Sequence, residues 1–210
     1  MEHVHFSGKD RKKMKVLITG LTGFIGAHIA RHLLQNGHEV VGYDLAPTRS
    51  RIADVADRVS IVDADICDLE MLIRTMERQE ITHVVHMACF LPEALILDNS
   101  TKALRVNCEG TNNVFEAARL RGIKRVVYAS SNAVCPLGPH EDDPVKPTTL
   151  YGHMKHLNEV MGRHFSRRFG LATIGLRFGF NYGPGGRLLA GELQRKYGSG
   201  VLFQVLEGLM

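Results

Sequence analysis

The stretch from Lys15 to Gly26, KVLITGLTGFIG, constrains the fold of this chain more than any other. Val16, Leu17 and Ile18 form a short apolar run that predicts a buried strand. The run ends at Thr19-Gly20, and apolar residues at helical spacing follow at once: Ile25, Ile29 and Leu33. Between strand and helix sit Gly20, Gly23 and Gly26. Glycine permits a tight turn and lets another group approach the backbone where a Cβ would intrude. The first N–H groups of a helix lack intrahelical acceptors and carry the positive end of its dipole, so an anion suits that place. Glycines alone mark many loops. Set between a buried strand and an amphipathic helix, they predict a turn that cradles the pyrophosphate of a dinucleotide.

A chain of 210 residues suits one α/β domain with a substantial core. Its net charge of +4 is half accounted for by residues 1–13, where Lys9, Arg11, Lys12 and Lys13 outnumber Glu2 and Asp10. That segment is read as a flexible, solvated leader, with Met14 as a candidate natural start. The remainder carries no basic stripe with interleaved aromatics, which argues against nucleic acid as a partner. No apolar run approaches the ~20 residues of a membrane span, and no signal-peptide pattern appears. Cys67, Cys89, Cys108 and Cys135 are widely spaced without a CxxC, a pattern that points to free thiols in a reducing cytoplasm.

The first helix stops at Asn36-Gly37, a helix C-terminal signal. A second strand, residues 39–43, leads to Asp44, near the ~20-residue spacing at which a dinucleotide fold places its ribose-binding acid. An ionised Asp44 accepts hydrogen bonds from ribose hydroxyls and repels a 2′-phosphate; the alternative is an acid that caps the next turn. Arg49 and Arg51 follow closely, so some tolerance of a 2′-phosphate stays open. Further strands are predicted at 59–62, 82–87, 125–130 and 171–177. Helices are predicted at 68–78, 100–121 and 150–169. Alternation of strands and helices predicts a doubly wound parallel α/β sheet of Rossmann type. His86-Met87-Ala88-Cys89 closes the fourth strand with small residues, as suits a backbone passing close to a ligand.

Tyr151 and Lys155 are four apart on the helix after a Pro/Gly/acid loop, so both side chains share one face. A free phenol has a pKa near ~10 and must fall by about three units to act as a base at neutral pH. A neighbouring ammonium and a cationic nicotinamide would both favour the phenolate. Ser131, at the end of the fifth strand, can hydrogen-bond the same substrate oxygen. Standing alone, a Tyr with a Lys four residues on is an ordinary exposed pair.

Here the pattern resembles a known family. TGLTGFIG, Asp44, Asp65-Ile66, His86-Met87-Ala88, Asn107-x-x-Gly110-Thr111, Ser130-Ser131-x-x-Val134, Tyr151-x-x-x-Lys155 and Arg177…Tyr182-Gly183-Pro184 occur in order. Over about residues 14–186 the chain resembles the extended short-chain dehydrogenase/reductases, the NAD-dependent epimerase/dehydratase family. The resemblance implies an NAD cofactor, with Gly20, Gly23, Phe24, Ile25 and Gly26 on its pyrophosphate and Asp44 on the adenosine ribose. Asp65 and Ile66 would flank the adenine. Met87, Ala88, Cys89 and Asn107 would line the rest, with Tyr151 and Lys155. Ser131, Tyr151 and Lys155 would be catalytic, with Tyr151 moving a hydroxyl proton while a hydride passes to or from the nicotinamide.

Departures from the family refine the expectation. Asn132-Ala133 stands where sugar dehydratases carry an acid pair, which favours epimerisation or alcohol–ketone redox over water elimination. Cys135-Pro136 replaces the usual Tyr-Gly, and Phe180 stands where many members have a substrate-binding Asn, with Asn181 adjacent. Residues 185–210 form a short tail in place of a substrate-binding lobe of domain size, which reads as a truncation. The expected substrate is a nucleotide-sugar-like secondary alcohol; the alternative is an NAD-binding module without turnover. His153-x-x-His156 has metal-ligand spacing but no third ligand, so no metal is expected. The resemblance further implies a homodimer through helices 100–121 and 150–169.

Overall fold

The computed structural model describes residues 13–45, 47–90, 99–135, 144–179 and 181. The chain divides into two compact units, Met1–Phe178 and Gly179–Met210, and the fold described below belongs to the first. The Tyr182-Gly183-Pro184 motif, Pro136, Phe180, the tail and the leader up to residue 12 lie outside the described residues.

Strands β1 (Lys15–Thr19), β2 (Glu39–Asp44), β3 (Ser60–Asp63), β4 (His83–His86), β5 (Arg125–Ser131) and β6 (Ala172–Phe178) make one sheet. Their order is β3-β2-β1-β4-β5-β6 and every pairing is parallel. The order reverses between β1 and β4, the switch point outside which open α/β sheets bind ligands. Thr19 is in register with Tyr43 on one side and His86 on the other, so three strand ends meet there.

Helices α1 (Phe24–Gln35), α2 (Leu69–Arg78) and α5 (Leu150–Phe169) match the predicted spans closely. The predicted long helix at 100–121 is instead a composite. It runs as α3 (Ser100–Leu104), a π-helical turn (Arg105–Gly110) and α4 (Thr111–Leu120). A π turn holds one extra residue, which side-chain periodicity does not reveal. Caps follow familiar rules: Asp68 accepts from Met71 N at α2, and Thr149 from Gly152 N at α5, which ends on Gly170 at φ +70°.

Both faces of the sheet are covered at β1, which explains its uninterrupted apolar run, whereas β6 is exposed at Ile174, Gly175 and Leu176. Val16 and Ile18 face α1 with Leu21, Ala27, Ala30 and Leu34. Leu17 faces the other side, with Leu72, Val84, Phe115, Val126 and Phe165. There Phe115 packs edge-on to Tyr128 at 5.2 Å and tilted against Phe165 at 5.5 Å. Such pairs add about 0.5–1.5 kcal/mol each beyond their buried area. Tyr128 fills the slot between α5 and β6: a Cβ on Gly162 or on Gly175 would lie 2.7 Å from its ring or hydroxyl. Among the described residues no helix is long and apolar enough to cross a membrane.

Candidate active site

The three glycines of the β1–α1 turn meet three different demands. Gly20 sits at φ +69°, and a Cβ there would lie 2.7 Å from Ala88 N and 2.9 Å from the Met87 carbonyl carbon. Gly26 lies so close beneath the turn that a Cβ would fall 2.2 Å from Gly20 O. Gly23 is less crowded, but a Cβ there would still press on Gly20 O at 3.1 Å, closer than an ordinary contact. It is also the N-cap of α1, with no side-chain cap and no acid in the first turn. A tight turn, an approachable backbone and a close helix–strand contact are what a dinucleotide's pyrophosphate requires of its glycines. The chain's own geometry therefore fits such a cofactor. Phe24 and Ile25, half-buried, form the first turn above it.

Asp44 closes β2 beside this turn. Its Oδ2 accepts from both Thr22 N (2.8 Å) and Thr22 Oγ1 (2.7 Å), while Oδ1 accepts from no described residue. Asp65 and Ile66 have structural partners of their own. Asp65 Oδ1 accepts from Cys67 N at 2.9 Å, and its carbonyl accepts from Tyr43 Oη at 3.0 Å. Ile66 is buried against Gly110, where a Cβ would come within 2.6 Å of it.

Beyond β4 a chain of hydrogen bonds fixes the backbone at Met87–Phe90. Met87 N donates to Thr19 O (3.0 Å) and Ala88 N to Thr19 Oγ1 (3.3 Å). His86, fully enclosed, joins Thr19 Oγ1 (2.6 Å, at Nδ1) to Thr111 Oγ1 (3.0 Å, at Nε2). Thr111 donates its own proton to Asn107 O (2.8 Å), so it must accept from His86, which fixes the Nε2–H tautomer. Asn107 in turn grips Phe90 from both sides, accepting from its N (2.8 Å) and donating to its O (3.2 Å). Asn107 is thus held as a brace on the wall formed by Met87, Ala88 and Cys89. Burial, and secondarily the charge of Lys155, push the His86 pKa down to about 3, so the ring is neutral.

The reactive group lies on α5. A Cβ on Gly152 would lie 2.5 Å from Ala133 O, so the first turn of α5 rests directly on the 132–134 turn that follows β5. That contact brings Tyr151 to Ser131, whose hydroxyl and the Cys89 thiol are the polar side chains beside the phenol. Lys155 is buried, donates to Ala129 O at 2.8 Å and lies 5.6 Å from the Tyr151 ring centre. The phenol's pKa is raised, chiefly by burial and also by Cys89, against an opposing hydrogen bond from Ser131. The expected lowering by the ammonium is not found: the lysine donates to a carbonyl and the ring is desolvated. Without a further positive charge the phenol holds its proton. His153, on the same helix, is exposed and His156 half-buried.

Several residues that build the site had no role assigned from the sequence: Ser130, Arg177, Thr111 and Thr22 stood only as members of motifs, and Glu159 in none. Ser130 donates to Glu159 at 2.6 Å, and Arg177 binds both oxygens of that carboxylate at 2.8 and 2.9 Å. Burial would raise the Glu159 pKa, but these partners hold it below the ordinary range. This ion pair, its carboxylate buried and its guanidinium half-buried, ties β5, α5 and β6 together behind Ser131. Glu159 lies eight residues beyond Tyr151 on the same helix, and Arg177 closes β6, so their pairing depends on the tertiary fold. Thr22 and Thr111 offered only a hydroxyl next to a glycine, a weak signal.

The family model described as the NAD dependent epimerase/dehydratase family matches residues 16–207. UDP-glucuronate 4-epimerase 1 of Arabidopsis thaliana is 31% identical over 88% of this chain and 45% of its own length. Among solved structures, UDP-glucose 4-epimerase from Brucella ovis in complex with NAD is 29% identical, with a TM-score of 0.72 over 78% of this chain and 51% of that one. The dTDP-glucose 4,6-dehydratase DesIV of Streptomyces venezuelae, with NAD and TYD bound, is 28% identical with a TM-score of 0.75, over 81% of this chain and 57% of that one. The chain spans about half the length of the curated relatives it matches.

The neutral His86 gives folding a pH dependence of known sign. Its pKa is about 3 in the folded chain and 6.5 ordinarily, so between those values the unfolded chain binds more protons. Stability is full above the upper value and falls as pH drops towards the lower, by at most about 1.4 kcal/mol per pH unit. His83, also lowered by burial first and by Lys124, Arg125 and His38, acts in the same direction. Urea midpoints measured from pH 7 to pH 4.5 are expected to fall more steeply for the parent than for His86→Gln. Equal slopes would show that His86 is not held neutral.

Proposed function

Because the chain belongs to the NAD-dependent epimerase/dehydratase family, we propose that it binds NAD along the carboxyl edge of its sheet and oxidises a secondary alcohol of a nucleotide sugar. One observation carries this reading. The Tyr151 phenol, the Ser131 hydroxyl and the buried Lys155 converge at the same edge as the Gly20–Gly26 turn and Asp44. Support also comes from the relatives, whose names are those of sugar-nucleotide epimerases and dehydratases.

In this reading Asp44 Oδ1 would receive a ribose hydroxyl, and the first-turn N–H groups of Phe24 and Ile25 would serve the pyrophosphate, the Gly23 N–H being taken by Gly20 O. Bound NAD supplies a hydride acceptor and a positively charged ring. That charge offsets the desolvation which otherwise keeps the Tyr151 proton in place. Tyr151, once its own proton had been released to solvent, would take the substrate's hydroxyl proton on its phenolate oxygen as the carbon-bound hydrogen left as hydride for the cofactor, and Ser131 would donate a hydrogen bond to the substrate oxygen. Lys155, anchored on Ala129 O, holds its ammonium 5.6 Å from the centre of the Tyr151 ring. Ser131 stays oriented because its oxygen accepts from Ala133 N at 3.2 Å. At 132 and 133 stand Asn and Ala, so neither position supplies an acid for elimination, and we read the reaction as epimerisation or simple alcohol–ketone exchange.

We also infer a homodimer through α3–α4 and α5. Leu104, Leu120, Leu157 and Val160 are large apolar residues exposed on those helices, at 44, 48, 44 and 43%. Isolated exposed leucines are ordinary, but several on adjoining helices suit a second copy. Leu157→Glu is expected to shift the protein from dimer to monomer in sedimentation equilibrium. A monomeric parent would overturn the dimer.

The test of the reaction is Tyr151→Phe, followed by absorbance of reduced nicotinamide after mixing with NAD and UDP-sugars. Loss of the proton-transferring oxygen should slow hydride transfer about 10²–10⁴-fold. NAD affinity, measured by calorimetry, should stay close to the parent's because the ring still packs. Comparable turnover in the variant would place the base elsewhere. NAD binding with no turnover in the parent would favour a cofactor-binding module.

A further inference from the structure

We propose that Thr22 is a positioning residue that sets the cofactor preference by turning the Asp44 carboxylate. The inference rests on the reading that Asp44 receives the adenosine ribose. Thr22 is buried, 7% exposed, between Gly20 and Gly23. It gives two donors, its backbone N–H at 2.8 Å and its hydroxyl at 2.7 Å, to the same oxygen, Asp44 Oδ2. Two donors on one oxygen hold a carboxylate in a single rotation. The other oxygen, Oδ1, is left for an outside donor, since no described residue donates to it.

Thr22 is itself held on every side. Leu21 before it is fully buried in the α1 core. Gly23 N after it closes the turn on Gly20 O at 3.1 Å. Its carbonyl accepts from Arg51 Nη1 at 3.4 Å. Arg51 is held in turn, its carbonyl accepting from the Arg31 guanidinium, which also binds Asp54 at 2.7 Å. The hydroxyl proton is thus committed to Asp44 by the fold before any ligand arrives. A ribose with two free hydroxyls can donate to Oδ1. A 2′-phosphate has no proton to offer there, and a carboxylate that cannot rotate away repels it.

Without the Thr22 hydroxyl one donor remains on Oδ2 and the carboxylate is free to swing. Affinity for NAD should fall and the bar against NADP should relax together. A structural role alone would weaken both cofactors alike, so the ratio of their affinities is the informative readout.

The experiment is calorimetric titration of NAD and NADP into the parent, Thr22→Val, Thr22→Ser and Asp44→Ala, each first checked for a cooperative melt. Thr22→Val is expected to bind NAD about tenfold more weakly, the scale of one hydrogen bond to a charged group, with the NADP/NAD ratio of dissociation constants reduced about as much. Thr22→Ser keeps both donors and should restore the parent ratio. Should Thr22→Val fail to fold, Thr22→Ala removes the same hydroxyl with less bulk and carries the same expectation. An unchanged ratio in the hydroxyl-free variant, beside a changed ratio in Asp44→Ala, would overturn the role of Thr22. An unchanged ratio in Asp44→Ala as well would instead overturn the ribose assignment on which it rests.

Discussion

The contact on which the rest of this structure depends is the one that leaves no space at Gly20 and Gly26. A Cβ at Gly26 would fall 2.2 Å from Gly20 O, and one at Gly20 would fall 2.7 Å from Ala88 N. The helix that follows β1 is thereby pressed onto its own turn, and the turn onto the end of β4. Any larger side chain would lift α1 from the sheet and carry the Gly23–Ile25 amides with it. Those amides, the Thr22 donors on Asp44 and the wall at Met87–Cys89 are all placed by this one close approach.

Two buried polar systems then hold the reacting groups against that frame. In front, Thr19, His86, Thr111 and Asn107 pass a single line of hydrogen bonds from the end of β1 to the backbone of Phe90. Burial, and secondarily the charge of Lys155, keep the imidazole neutral, and matching each donor in the line to an acceptor makes it tolerable inside the core. Behind, Ser130, Glu159 and Arg177 join β5, α5 and β6. A buried carboxylate of this kind is weak evidence of net stabilisation, because desolvation offsets much of the attraction. Its consequence is geometric: α5 cannot slide along β5, and Tyr151 stays beside Ser131.

Much of this was legible in the chain itself. The alternation of elements and the apolar runs predicted the parallel sheet, because a strand covered on both faces must be apolar throughout, as Val16–Leu17–Ile18 is. The glycine spacing and Asp44 were legible because each answers a local backbone or charge requirement. The π turn at Arg105–Gly110 was not, since one added residue barely changes the helical pattern. Nor was the raised pKa of Tyr151: the sequence showed the ammonium four residues away, but not that it would turn to Ala129 O while the phenol was buried. Asn107 was expected along the cofactor, and the structure shows it gripping Phe90, a partner 17 residues distant in the chain. Long-range pairs such as Thr22–Asp44 and Ser130–Glu159 carry no local pattern. They are visible only once the strands are in register.

We propose that one sheet edge holds the dinucleotide with its reactive end at Tyr151. A crystal structure of the chain grown with NAD tests it most directly. The pyrophosphate is expected over Gly23, the adenosine ribose on Asp44 Oδ1 and the nicotinamide against Tyr151 and Cys89. NAD seated away from the Gly20–Gly26 turn, or with its nicotinamide turned away from Tyr151, would contradict it.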